Sequence, residues 1–498
     1  MKATTRLFCY KILCAVLLAL LHVSISFAQV YVKSDFAVSA PADNNYTSTQ
    51  LSVNGSGDMV VVWETSGSGD IWFRSVSSKG EVLGDQKLVD TPFTAGGTRV
   101  AQNGLGNFMV IFGAYLNHWY VMGQSFDPAG DKLADTLRVD RNASEQIDMS
   151  RVSLFSNSSN QFAAFLPESD SMLVEMFSEN GEYLSNTIVL KPDAQNFSDM
   201  YGLMTYTGDL VLAWIDASDG NYWGRIYSGD GTPSSASFQI SNKEAGSFVR
   251  KVTLCADASG NLAAVWTSTT GSEADIYTQL IDNGGTAIGV NTKVTDDQAI
   301  YMNGHPRSSE MDIDGNLVVA WQDYRDDDTT FIYMQEVDSQ GSTVGPNFRA
   351  TTVNNNLDGS SILPSQVGPA VRILRDTIYL AWENLNVDSS NNKVIYANIQ
   401  EWMIPDVTGL KQSGKLHNKA GIYPNPSQGS FSLQFSDVII GGLELEIYNS
   451  AGLLTDKETI EASGNIIQVV LPDIREGIYF LKIHGESIDS TLPLMIKR

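Results

Sequence analysis

Gly315-Asn-Leu-Val-Val-Ala-Trp321 is the stretch that decides the fold, because weaker copies of it recur along most of the chain. The copies are Gly57-Asp-Met-Val-Val-Val-Trp63, Gly106-Asn-Phe-Met-Val-Ile-Phe112, Asn160-Gln-Phe-Ala-Ala-Phe165, Gly208-Asp-Leu-Val-Leu-Ala-Trp214, Gly260-Asn-Leu-Ala-Ala-Val-Trp266 and Asp376-Thr-Ile-Tyr-Leu-Ala-Trp382. Successive aromatic ends are 49, 53, 49, 52, 55 and 61 residues apart. A strand-rich unit repeating at this interval builds a β-propeller or a β-solenoid.

The sixth repeat shows the unit most fully. A strand at 308–312 leads through the Asp314-Gly315 turn into Leu317–Trp321, which is apolar at every position, as expected of a strand buried on both faces. After a polar loop, 322–330, the segment 331–338 alternates apolar and polar residues; the Ser339-Gln340-Gly341 turn then leads to a weaker strand at 347–351. Four short strands per repeat make a propeller blade. The recurring Trp63, Trp214, Trp266, Trp321 and Trp382 are expected to fill the space between blades, since a saccharide platform would need those rings exposed.

Seven copies predict an all-β chain with a seven-bladed propeller over residues 29–404. The seventh repeat has no evident fourth strand after 394–399, whereas residues 31–40 form a spare one ahead of the first repeat. The two are expected to be one strand, closing the ring with both chain ends and removing the exposed sheet edges.

Lysine plus arginine number 32 against 57 aspartate plus glutamate, a net charge of −25, so the chain lacks the cationic surface that nucleic acid or anionic lipid demands. Of three cysteines, Cys9 and Cys14 fall in the first 28 residues and Cys255 lies in a predicted inner strand, which excludes a disulfide framework. Residues 1–28 combine Lys2, Arg6 and Lys11 with an apolar run, 12–21, and end Ser26-Phe-Ala28, the parts of a secretory signal peptide cut after Ala28. No later segment could span a membrane as an apolar helix.

Residues 405–420 read as a linker, and 421–498 as a small separate β-sandwich. This last segment resembles the type A C-terminal sorting domain of the type IX secretion system of Bacteroidetes. The resemblance is carried by Tyr423-Pro424-Asn425-Pro426, Gly429, the Ile447–Gly452 strand and turn, Gly477-Ile-Tyr479-Phe and the basic end at Lys497. It implies passage through the periplasm, handling by the type IX machinery, and release or retention at the outer-membrane surface. The repeats resemble those of secreted bacterial β-propellers, through Trp321-Gln-Asp-Tyr-Arg325 and Asp275-Ile-Tyr-Thr-Gln279, while the second and third repeats depart from that pattern.

For ligand binding the sequence offers Arg99, Arg151, Arg250 and Arg307, each near the opening of a predicted first strand, with His305 beside the last. Such arginines could form a cationic channel mouth for a carboxylate or sulfate, or simply pair with neighbouring aspartates. The sequence boxes of sialidases are lacking. Carboxylates in 323–328 and at Asp312 and Asp314 could hold calcium, the one cofactor considered, although the spacing of a dedicated calcium loop is missing. No catalytic set and no zinc set can be assembled. The expectation is an exported binding module for a glycan or a surface protein; the alternative is a polysaccharide-degrading enzyme with its site at the channel mouth.

Overall fold

A computed structural model describes residues 31–401, except 41–44, 92–94, 185, 272, 297–307, 327–328, 353–364, 376 and 386–392. It also describes 420–497, except 424–426, 428, 450–453, 472–473, 476 and 485–488. The proposed signal peptide and all of the proposed linker but Ala420, which begins a strand, lie outside the described residues, as do His305, Arg307, Pro424, Asn425, Pro426 and Gly452. The chain divides into two compact units, Met1–Ile404 and Pro405–Arg498.

In the first unit the unbroken apolar second strands serve two neighbours at once. Within Leu317–Asp326, Leu317, Val319 and Trp321 pack on the preceding sheet, whereas Val318 and Ala320 pack on the following one. The period-2 alternation of a strand thus assigns odd and even residues to different interfaces. The result is seven four-stranded antiparallel sheets among the described residues, six of them sequential meanders. We number them as blades 1 to 7: 46–88, 95–138, 153–190, 197–239, 248–293, 308–349 and 365–401.

Seven apolar clusters lie one in each gap between consecutive blades, including the gap between blades 7 and 1. This is a closed ring. Its last blade takes its fourth strand from Tyr31–Ala37, which runs antiparallel to Lys393–Glu401 with Phe36 opposite Ala397 and Ala37 opposite Tyr396. Trp63, Trp214, Trp266, Trp321 and Trp382 are all buried between blades, so none of them offers a free face at the surface.

Both kinds of hairpin turn use one five-residue design. In Asp312-Ile-Asp-Gly315-Asn316 the Asp312 carboxylate accepts the N–H groups of Asp314 and Asn316, and Gly315 takes φ +85°, a left-handed conformation that a side chain disfavours. Turns such as 257–261, 282–286 and 338–342 repeat the arrangement. The sixth repeat's fourth strand is Thr343–Arg349, earlier than the expected 347–351. Gly345-Pro346 looks like a strand breaker, but it falls at a bulge on an outer strand, where a missing N–H breaks no ladder bond.

The second unit is a five-stranded sheet folded around its own core of Phe431, Leu433, Leu443, Leu445, Ile447, Tyr479, Leu481 and Leu494 among others. The long strand Ser430–Asn449 pairs with Leu454–Val470 along both halves, and its register breaks between Gln434 and Ile439. Ala420–Tyr423 joins its first half and Gly477–His484 its second.

Candidate functional site

At the start of the inner strands, register breaks recur in five blades, between Thr47 and Gln50, Gly96 and Arg99, Ser198 and Tyr201, Arg250 and Thr253, and Val367 and Ala370. Each bulge contains one left-handed residue: Ser48, Gly97, Asp199, Lys251 or Gly368. Carboxylates from the preceding blade hold three of them, with the N–H groups of Ser48, Thr98 and Lys251 donating to Glu383, Glu64 and Asp199 at 2.8, 2.9 and 3.1 Å. The acids at this end of the channel therefore carry structural duties.

Of the arginines expected here, the described ones, Arg99, Arg151 and Arg250, each have partners of their own. Arg99 in blade 2 donates to the carbonyls of Val152 at 2.7 Å, Thr98 at 2.7 Å, Met149 at 3.0 Å and Ser150 at 3.3 Å, which staples the short helical turn entering blade 3; burial lowers its pKa. Arg151 is exposed and lies 3.7 Å from Asp148. Arg250 is exposed and donates to the Thr269 hydroxyl at 2.8 Å. Deeper in the channel, Glu310 and Arg372 from blades 6 and 7 approach to 3.6 Å; burial raises the Glu310 pKa, with Arg372 opposing. The Cys255 thiol is buried, and burial raises its pKa.

In the acidic stretch considered for calcium, Asp323 is paired with Arg325, while Asp327 and Asp328 lie outside the described residues. Asp323 is fully buried and accepts from the Trp321 indole at 2.9 Å, the Arg325 N–H at 2.9 Å and Arg325 Nη2 at 2.7 Å. Arg325 Nη1 reaches Asp296 at 2.8 Å, Nη2 also reaches Asn347 at 3.3 Å, and the guanidinium lies 4.3 Å from the centre of the Tyr333 ring. Burial works against the Arg325 charge, but Asp323 and then Asp296 outweigh it, so its pKa is raised. The Asp312 carboxylate is likewise spent on its own turn.

The same place in blade 5 is open. Trp266 faces Tyr277 across its strands as Trp321 faces Tyr333, and Asn291 accepts the Asn242 N–H at 2.6 Å as Asn347 accepts that of Asp296 at 2.8 Å. By this register Thr270 stands for Arg325, Ser268 for Asp323 and Asn242 for Asp296. Asn242, Ser268, Thr270, Tyr277 and Asn291 line a cleft of about 810 Å³ between blades 4 and 5, together with Glu244 and Asp275. The cleft opens on the face where the inner strands begin, because the second strand ends and the third begins there. Its inner wall is the half-buried Tyr277 ring, which stacks on the buried Trp266 with ring centres 6.2 Å apart and planes 18° from parallel. Asp275 is 3.2 Å from Lys293 and accepts the Thr295 hydroxyl at 2.9 Å.

The sequence carries a signal for this cleft in the departure of Trp266-Thr-Ser-Thr-Thr270 from Trp321-Gln-Asp-Tyr-Arg325. Reading it requires knowing which side chains of different strands meet.

In the second unit, Tyr423 ends the strand that pairs with Ser430–Asn449, opposite Ser432. Gly429 takes φ +99°, and a Cβ there would stand 2.8 Å from the Leu471 carbonyl. Gly477 pairs with Ile496, the buried Tyr479 donates its hydroxyl to the Arg475 carbonyl at 3.0 Å, and the Lys497 N–H donates to Ser427 at 2.8 Å.

Among curated proteins none matches this chain in sequence. Solved structures resemble it at low identity. One is a fungal alcohol oxidase of the AA5 family in complex with copper, 11% identical, covering 92% of this chain and 100% of its own at a TM-score of 0.46. A polysaccharide lyase, PL25-Ulvanlyase, is 10% identical, with coverages of 78% and 99% and a TM-score of 0.47. The β-propeller domain of the Trilobed protease from Pyrococcus furiosus, described as having an open velcro topology, is 9% identical, with coverages of 73% and 99% and a TM-score of 0.43. Residues 421–497 match the secretion system C-terminal sorting domain. No helix among the described residues is long and apolar enough to cross a membrane. The strand framework, the turn at Gly429 and this match together identify the second unit as a type IX secretion sorting domain, and the propeller as the cargo it exports to the cell surface or the surroundings.

Proposed function

We propose that the exported propeller binds a saccharide, and that the cleft between blades 4 and 5 is its site. The observation that carries this reading is the cleft's make-up: the half-buried Tyr277 ring, backed by the buried Trp266, beside hydroxyl and amide side chains in a space of about 810 Å³. A sugar ring presents a C–H face that packs on an aromatic ring, while its hydroxyls exchange hydrogen bonds with the surrounding polar groups. Ser268 and Thr270 bring hydroxyls, and Asn242 an amide, to this space. The cleft lies within the usual size range of ligand pockets, about 300–1,000 Å³. The handling of the sorting domain by the type IX machinery brings such a module to where extracellular polysaccharide is met.

Titration of the full mature chain with a panel of oligosaccharides, followed by calorimetry, tests the reading. Tyr277→Ala should weaken the bound sugar by about tenfold or more, a loss of about 1.4 kcal/mol. Equal affinity of the variant and the unaltered protein would remove the cleft from consideration.

A further inference from the structure

The blade 5 cleft is the blade 6 arginine socket with its arginine and both of its carboxylates exchanged for neutral groups. In blade 6 the guanidinium of Arg325 fills the space over Tyr333, fixed by Asp323 on one side and Asp296 on the other. In blade 5 Thr270 is too short to reach across, and Ser268 and Asn242 occupy the positions of the two carboxylates. Had only the arginine been exchanged, a buried carboxylate at the Asp323 position and an exposed one at the Asp296 position would face one another without a counter-ion, and an incoming cation would be favoured. All three positions are neutral, so the socket no longer selects a cation.

The charges that remain around the cleft are of both signs. Asp275 is held by Lys293 at 3.2 Å. Glu244 and Lys243 line the same side with opposite signs. A carboxylate or sulfate entering the cleft would meet Glu244 and Asp275, and would have to draw Lys293 away from its partner. Pairing of this kind penalises a charged ligand relative to a neutral one of the same shape.

We infer that the cleft selects an uncharged oligosaccharide over uronic-acid or sulfated ones, the Tyr277 face that corresponds to the arginine-covered face of Tyr333 receiving a sugar ring. This inference rests on the saccharide-binding reading and goes further by naming the ligand's charge class.

The experiment compares binding of neutral oligosaccharides (cello-, malto- and manno-oligosaccharides) with oligogalacturonates and sulfated oligosaccharides, using the full mature chain at physiological salt. A second arm uses the triple variant Thr270→Arg, Ser268→Asp, Asn242→Asp, which rebuilds the blade 6 arrangement, with Tyr277→Ala as an independent variant should the triple fail to fold. The expected result is neutral binding, with anionic sugars at least about tenfold weaker, and about tenfold or greater loss of neutral binding in the folded triple variant or in Tyr277→Ala. Anionic sugars binding as well as or better than neutral ones would overturn the charge-class inference and leave the saccharide reading standing. Neutral binding that survives in the folded triple variant and in Tyr277→Ala would overturn the assignment of this cleft. Absence of binding by sugars of either class would overturn the saccharide reading and this inference with it.

Discussion

Asp323 shows how much one side chain can do in a repeat. It closes three hydrogen bonds at once, to an indole, a backbone N–H and a guanidinium, in a place that water does not reach. Burying an ion pair brings little net stability, but removing one member strands the other. Asp323→Ala is therefore expected to lower stability by about 3–5 kcal/mol, read from the urea midpoint of the propeller transition. A change within about 0.5 kcal/mol would show that Arg325 finds compensation from Asp296 and solvent. Sequence spacing marks Trp321-Gln-Asp-Tyr-Arg325 as a repeated motif, and its acidic run suggests a metal loop. The structure assigns Asp323 and Arg325 to each other. Spacing along the chain cannot show that Tyr333 and Asp296, from other strands, complete the arrangement.

Between elements, the ring is held by repeated polar latches as well as by apolar burial. The segment following one blade's fourth strand donates its backbone N–H to a side chain of the next blade: Asn242 to Asn291, Asp296 to Asn347, Thr352 to Asp35 and Ala40 to Gln86. Asn347 also donates to the Val294 carbonyl at 2.9 Å and to Gln335. Asn347→Ala would leave the Asp296 N–H and the Val294 carbonyl short of partners at a half-buried joint, a loss of about 2 kcal/mol. Hydrogen exchange at Asp296 should quicken selectively, whereas a uniform change along blade 6 would contradict the latch. The second strands are the most legible elements because burial on two faces leaves an uninterrupted apolar run. The outer strands are the least legible, since they are short and half-exposed, and bulges break their alternation, as at Gly345-Pro346. The cleft in blade 5 is readable only as a difference between repeats, and only once strand register is known.

For the molecule as a whole, closure is a property of the ends. Tyr31–Ala37 covers the edge of Lys393–Glu401, and Asp35 accepts the Thr352 N–H while Asn398 donates to the same carboxylate. A chain beginning at residue 41 would expose that edge and uncover part of the cluster between blades 7 and 1. It is expected to aggregate and to lose its single cooperative unfolding transition, checked by gel filtration and thermal melting; an unchanged monomer with an unchanged midpoint would contradict closure. The amino-acid sequence by itself determined the repeated blade, the mixed last blade and the sorting domain, because each leaves a periodic or local signature: alternating burial, turn residues at fixed spacing, and a motif in fixed order. The tertiary structure alone decided that Arg99, Arg151 and Arg250 each have partners of their own, and that one arginine socket stands open. Both depend on which side chains of distant strands face one another across a blade interface, and strand register fixes that only after the ring has closed.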